Sequence, residues 1–267
     1  MEEAKLNRLM KAMLPFIVMV LIERILILFL AKTSLPRIFV DLLSFLPAAF
    51  SAIIFFHASN FTGTDEDSLR TKEKRSVFDC MTYSVMIAAI LVIMMYALSS
   101  ILNGGQQPIK LTFITLISSV VIHPFLEEYI FRYLFYTQLR EMSIIFGGIA
   151  QAIMFAIVHD SIEGMLFALC GGFAFAVLYE KLGRLFPAIA VHAALNLRSL
   201  LYLTVFASMP TVRDVIDIVI LILGFASFLF LFIRHGHRKA AEKKTKYTLS
   251  PTIEAPEFIS EDEEKDA

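Results

Sequence analysis

Long apolar runs fill most of this chain, and they constrain its fold more than any other feature. They lie approximately at 14–31, 38–58, 77–102, 111–139, 144–159, 165–179, 185–207 and 215–233. A membrane-spanning helix needs about 20 predominantly apolar residues, and six of the runs are at or near that length. The runs at 144–159 and 165–179 are short and separated by the turn-like Asp160-Ser161-Ile162-Glu163-Gly164. They read as a helical hairpin, or the count of spans is off by one. Hydrophobic residues make up 57% of the 267 positions, above the roughly 45–50% of a soluble domain, and mean hydropathy is +0.70. The expected fold is therefore all-α, a polytopic membrane helix bundle of about eight transmembrane helices with the lipid bilayer as its partner. Phe is abundant and Trp absent, which names no function.

The charges fix a topology. The polar segment 1–13 precedes a run interrupted by Glu23 and Arg24 and without a small-x-small cleavage site, so it reads as a retained first helix rather than a signal peptide. With both termini cytoplasmic, sixteen Lys and Arg fall on the inner side and four (Lys32, Arg37, Lys110 and Arg213) on the outer side, a positive-inside bias. Arg70, Lys72, Lys74 and Arg75 contribute to the inner side, and Asn60-Phe61-Thr62 in the same segment is a chance glycosylation pattern. The division expected is an N-terminal set of three helices with a cytoplasmic loop (1–110), a catalytic helical core (111–207), a last transmembrane helix (208–234) and a disordered, charged cytoplasmic tail (235–267). His235 and His237 in that tail lack the further ligands and rigid frame of a metal site. A net charge of −1 gives no pointer to nucleic acid, and no nucleic-acid partner is expected; Cys80 and Cys170 lie in apolar runs and imply no disulfide framework.

Ionisable residues inside membrane helices cost about 2.5–3.5 kcal/mol each at the centre unless they pair or line a wet cavity. Three places stand out. In His123-Pro124-Phe125-Leu126-Glu127-Glu128-Tyr129-Ile130-Phe131-Arg132, Glu128 and Arg132 are spaced i,i+4 and can pair along one face. Glu127 points about 100° away and has no local cation, so it is free to face a cavity. The second place is His159 at the end of Phe155-Ala156-Ile157-Val158-His159, where Asp160 either orients the imidazole or caps the next turn. In the third, His192-Ala193-Ala194-Leu195-Asn196, the two polar residues share one face and could simply bind helices together. Glu23, Arg24, Arg198, Asp214 and Asp217 read as structural or locally paired. Glu180 and Lys181 read as an interface anchor, and Gly147-Gly148 and Gly171-Gly172 as sites of close helix approach.

The three polar helices together hold a carboxylate, two imidazoles and a carboxamide. Amide hydrolysis needs an activated water and donors for the developing oxyanion, and a carboxylate shielded from water binds a proton more tightly, which suits a general base. No Ser or Cys stands out as a nucleophile. His and Glu also ligate Zn²⁺, although the HExxH spacing is absent.

The series Glu127-Glu128-x-x-x-Arg132, Phe155-x-x-x-His159 and His192-x-x-x-Asn196 resembles the three-motif signature of the CPBP family, which includes type II CAAX prenyl endopeptidases and bacterial Abi proteins. The stretch from Leu178-Tyr179-Glu180-Lys181-Leu182-Gly183 through Arg184-Leu185-Phe186-Pro187 into His192 resembles it too. The likeness covers about 111–203, and Tyr133 stands where the family often has glycine. The resemblance implies an intramembrane endopeptidase acting on a membrane-associated protein or peptide, by CAAX-type or bacteriocin- and pheromone-type processing. Glu127 would activate water with help from His159, His192 and Asn196 would stabilise the oxyanion, and Glu128 and Arg132 would brace the site. No cofactor is expected. Were the enzyme zinc-dependent, Glu127, His159 and His192 would be the ligands. The alternatives are a non-catalytic scaffold or immunity protein of the same fold, and a proton-coupled transporter. The compact chain points to a bacterial cell membrane.

Depth tests the shared site. At about 1.5 Å per residue, Glu127, His159 and His192 lie roughly 18, 24 and 10 Å from the predicted inner helix ends, a spread that must be absorbed by tilt or by different helix starts.

Overall fold

The computed structural model describes residues 2–58, 76–102 and 110–248. The Asn60 pattern and the basic cluster 70–75 lie outside these residues. Eight helices follow in chain order: α1 (Glu2–Leu30), α2 (Arg37–Ala58), α3 (Val77–Leu102), α4 (Phe113–Arg140), α5 (Ile144–Ile157), α6 (Ile162–Leu182), α7 (Phe186–Leu203) and α8 (Pro210–Thr248). Among the described residues, all but α5 are long and apolar enough to cross a membrane. At 14 residues, α5 reaches about 21 Å, short of a hydrocarbon core of about 30 Å. The protein is thus an all-α, multi-pass membrane protein, with seven full-length apolar helices and one short one among the described residues.

Local chemistry sets the breaks. Thr112, Ser143 and Ser161 cap α4, α5 and α6, their hydroxyls accepting from the backbone N–H groups of Thr115, Phe146 and Gly164. Gly183, at φ 63°, ends α6 in the left-handed conformation that glycine adopts without strain. Pro187 then sits in the first turn of α7, where its missing N–H costs nothing. The described part of the expected tail, 235–248, continues α8, in a stretch rich in Lys, Ala and Glu, which favour helix.

Met1–Phe228 form one compact unit, and within it the described apolar residues form a small packed cluster of Tyr136, Ala176 and Tyr179 and two large ones. One joins α1, α2, α4 and α5 through Phe16, Ala48, Ala52, Ile130, Phe131, Phe135 and Phe155. The other joins α3, α6 and α7 through Leu91, Val92, Phe175, Leu178, Val191 and Leu195. Small residues permit the close approaches. A Cβ on Gly172 would stand 3.1 Å from the Ala152 Cα, and one on Gly147 would stand 2.6 Å from the Arg140 backbone nitrogen. Gly171 meets only side chains, at ordinary contact distance, so the expected close approach belongs to its neighbour. Large apolar side chains such as Leu28, Ile54, Ile101, Phe113, Ile145 and Phe225 face outward, the surface that lipid solvates.

The charges read as bland are paired across helices, not locally as expected. Arg24 of α1 reaches Asp160, with Nη1 2.6 Å from Oδ1. Arg198 of α7 pairs with Asp217 of α8 at 2.6 Å. Glu180, expected as an interface anchor, is buried against Arg140, with oxygens 2.8 and 2.9 Å from that guanidinium, and the Tyr136 hydroxyl donates to it at 3.0 Å.

Candidate active site

The site begins with the winding of α4. Residues 118–122 and 129–136 are π-helical and 123–128 are α-helical. Such π segments occur often at functional sites, because an extra residue per turn re-aims the side chains that follow. At the first one, the His123 N–H donates to the Ser118 carbonyl, five residues back. The residue five beyond Ser119 is Pro124, which has no N–H. The Ser119 carbonyl instead accepts from the Asn196 carboxamide of α7, at 2.9 Å. A proline in one helix therefore creates the backbone acceptor that anchors a polar residue of another.

The two adjacent glutamates have different surroundings. Glu128 is fully buried, and so is Arg132, whose Nε lies 3.0 Å from Glu128 Oε2. These two atoms face each other without hydrogen-bond alignment, so the contact is a charge pair. The Arg132 guanidinium also lies over the Phe155 and Phe175 rings, at 4.5 and 5.2 Å from their centroids, and its Nη2 donates to the Gly172 carbonyl at 3.4 Å. Gln151 donates to the same carbonyl at 2.8 Å. This is the packing expected of a brace.

Glu127 lines a cavity of about 820 Å³, together with His123, His159, His192 and Asn196. It is not without a local partner, as the sequence reading had it. His123, one turn earlier on α4, places Nδ1 3.2 Å from Glu127 Oε1. On the other side, His192 Nε2 lies 3.6 Å from Glu127 Oε2. His192 also reaches the second glutamate, its Nδ1 2.8 Å from Glu128 Oε1. Since a carboxylate only accepts, Nδ1 carries the proton in that contact. His192 Nε2 is then a donor only when the ring is doubly protonated. The Phe175 ring stacks on His192, with centroids 5.3 Å apart and planes at 23°, and fixes its orientation.

His159 is not within a helix but in the short link between α5 and α6. Its Nδ1 donates to the Phe155 carbonyl at 2.9 Å, leaving Nε2 as the acceptor. Asp160 neither orients this imidazole nor caps the turn, which falls to Ser161. Instead it holds Arg24, whose Nη2 also donates to the Val158 carbonyl at 3.4 Å. The α1 guanidinium thus grips the residues on both sides of His159, which is how a link residue is placed without a helix of its own. The depth spread is absorbed in this way: His159 hangs from the end of the short helix, and Glu127 and His192 meet across the α4–α7 contact.

His123 escaped the sequence reading although its i,i+4 spacing to Glu127 was a usable signal. Arg24, Phe45 and Phe175 gave none, because their roles depend on helices far away in the chain. As for zinc, among the described residues no three His, Cys, Asp or Glu side chains are grouped as a metal-ligand set. The Nδ1 contacts of His192 and His159 leave Nε2 as the nitrogen of each ring open to a ligand or a proton.

The fold and cavity define a class: a multi-pass membrane protein with a carboxylate–imidazole cluster opening on an internal cavity. Residues 108–198 match the profile of type II CAAX prenyl endopeptidase Rce1-like proteins, a segment that contains Glu127, Glu128, Arg132, His159, His192 and Asn196. Over 82 residues the chain is 34% identical to a Bacillus subtilis (strain 168) protein named "Putative membrane peptidase YdiL", covering 30% of this chain and 34% of that protein. The chain thus matches about a third of that relative's length. No solved structure matches. Residues 108–198, about a third of the chain, carry this likeness, and they hold the three motifs.

Proposed function

We propose that this protein is an intramembrane endopeptidase that hydrolyses a peptide bond of a membrane-associated protein or peptide by a water activated at Glu127. The observation that carries the reading is the asymmetry of the two glutamates: Glu128 is buried against Arg132 and His192, whereas Glu127 faces the cavity. In this reading Glu127 takes a proton from water as the water oxygen bonds to the scissile carbonyl carbon. His159, acceptor at Nε2, holds the second hydrogen of that water. The oxyanion is met by Asn196, whose carboxamide has one N–H on Ser119 and a second to donate. His192 Nε2 joins it once protonated. Collapse of the tetrahedral intermediate breaks the C–N bond, and Glu127 returns its proton to the departing amine. No metal takes part.

The cavity also bears on the substrate. Glu23, Asp41, Asp160 and Glu163 line it, and Arg37 is the one Lys or Arg in its described lining. That balance disfavours an acidic peptide segment. The Lys and Arg distribution supports an orientation with both termini cytoplasmic. The test is a mass-spectrometric comparison of membrane-associated peptides from cells expressing wild type or Glu127→Gln, with and without chelator. Peptide products present in wild type, absent in Glu127→Gln and insensitive to chelator are expected. Identical peptide profiles in the two strains would leave a scaffold role as the better account, and loss of products on chelation would restore a metal.

A further inference from the structure

We propose that His123 is a positioning residue for Glu127, the imidazole that fixes the plane of the carboxylate for attack; this rests on the peptidase reading above. A glutamate's last torsion is broad and two-fold, so a base on an otherwise apolar helix has no preferred plane unless both of its oxygens are held. Here each oxygen faces an imidazole. Oε2 faces His192 of α7 at 3.6 Å and Oε1 faces His123 of α4 at 3.2 Å. The two contacts come from opposite sides and together define the carboxylate plane.

His123 is itself held. The Phe45 ring of α2 stacks on its imidazole, with centroids 4.2 Å apart and planes at 13°. Its backbone N–H is fixed to Ser118 by the π turn, and Pro124 follows at once. With Glu127 as acceptor, Nδ1 is the protonated nitrogen of His123. The residue thus links the α2 wall of the cavity to the base through one stacking contact and one hydrogen bond. A purely structural histidine at a helix interface would have no need to put its donor on the glutamate proposed as the base.

The experiment uses purified full-length protein in detergent with extracted membrane peptides as the probe. It is read by mass spectrometry on the product ions that Glu127→Gln abolishes. His123→Ala is expected to lower turnover about ten- to a hundredfold, the cost of a misplaced catalytic group, with half-saturation unchanged. His123→Asn, whose carboxamide nitrogen can occupy the Nδ1 position, is expected to recover most of the rate. Phe45→Leu, which keeps the histidine and removes the stacked ring, is expected to lose several-fold in turnover and serves as the test should His123→Ala fail to fold. Equal losses in His123→Ala and His123→Asn, or a change in half-saturation alone, would overturn the proposal. Full turnover in His123→Ala beside an inactive Glu127→Gln would sink this inference and leave the peptidase reading standing. Should no product depend on Glu127, the peptidase reading falls first and this one with it.

Discussion

The polar clusters around Asp217 and around Glu127, both among the membrane helices, differ in whether their hydrogen-bonding capacity is used up. Around Asp217, each carboxylate oxygen receives two donors: Oδ1 from Arg198 Nε at 2.6 Å and Tyr202 at 2.8 Å, Oδ2 from Arg198 Nη2 at 2.6 Å and Tyr96 at 2.7 Å. This network ties α3, α7 and α8 together and is closed. Around Glu127, the nearest imidazole nitrogens stand at 3.2 and 3.6 Å, and the carboxylate borders a cavity. A charge within lipid must be compensated, but compensation that leaves lone pairs facing open space is what chemistry requires. Burial of charge marks both clusters; incomplete saturation marks the second alone.

Substitutions that exchange the two behaviours test the contrast. Glu127→Gln keeps shape and polarity and removes the base. Cleavage should fall by about 10²- to 10⁴-fold with an unchanged thermal midpoint in detergent. An equally large loss of thermal stability would place Glu127 with Asp217 as structure. Asn196→Ala should lower turnover by about 10²- to 10³-fold, the usual effect of one oxyanion donor. It also strips the Ser119 carbonyl of its donor, so a fall in stability of about 1–3 kcal/mol should accompany it. Both changes should appear in one variant, through kinetics and thermal unfolding.

The closed network should respond the other way. Asp217→Ala leaves Arg198 without its counter-charge and should cost about 3–5 kcal/mol of stability, while the protein that remains folded cleaves at the wild-type rate. A proportional loss of rate per folded molecule would mean that the α7–α8 clamp shapes the site. The smallest change expected comes from Arg24→Lys. The ion pair to Asp160 survives, but the grip on the Val158 carbonyl is lost with the planar fork, and turnover should drop a few-fold without a change in fold, as circular dichroism would report.

The pairings show which parts of the site were legible along the chain. Spacings of three or four residues on one helix need no tertiary knowledge, so Glu128–Arg132 and the shared face of His192 and Asn196 were readable. His123–Glu127 was equally readable, the two lying one turn apart on one helix. The depth of His159 misled, since helical rise does not continue through a segment that ends before the histidine. The partners Arg24, Phe45 and Phe175 lie on helices distant in sequence, and no periodicity or motif marks them. Arg24 in particular read as structural or locally paired, because its carbonyl acceptors exist only where α5 stops short.

The apolar run lengths alone dictated an all-α membrane protein, because uninterrupted runs of about 20 apolar residues cross lipid as helices, whereas barrel strands are about half as long and alternate. The three motifs, local to their own helices, carried the family resemblance and its candidate residues. Only the tertiary structure decided how those residues share work. It set Glu128 in a sealed charge pair and Glu127 on the cavity, gave His192 to both, and placed Asn196 on a carbonyl left without a partner by Pro124. These are contacts between helices, fixed by packing and by π turns, and a one-dimensional pattern does not encode which face of a helix meets which neighbour.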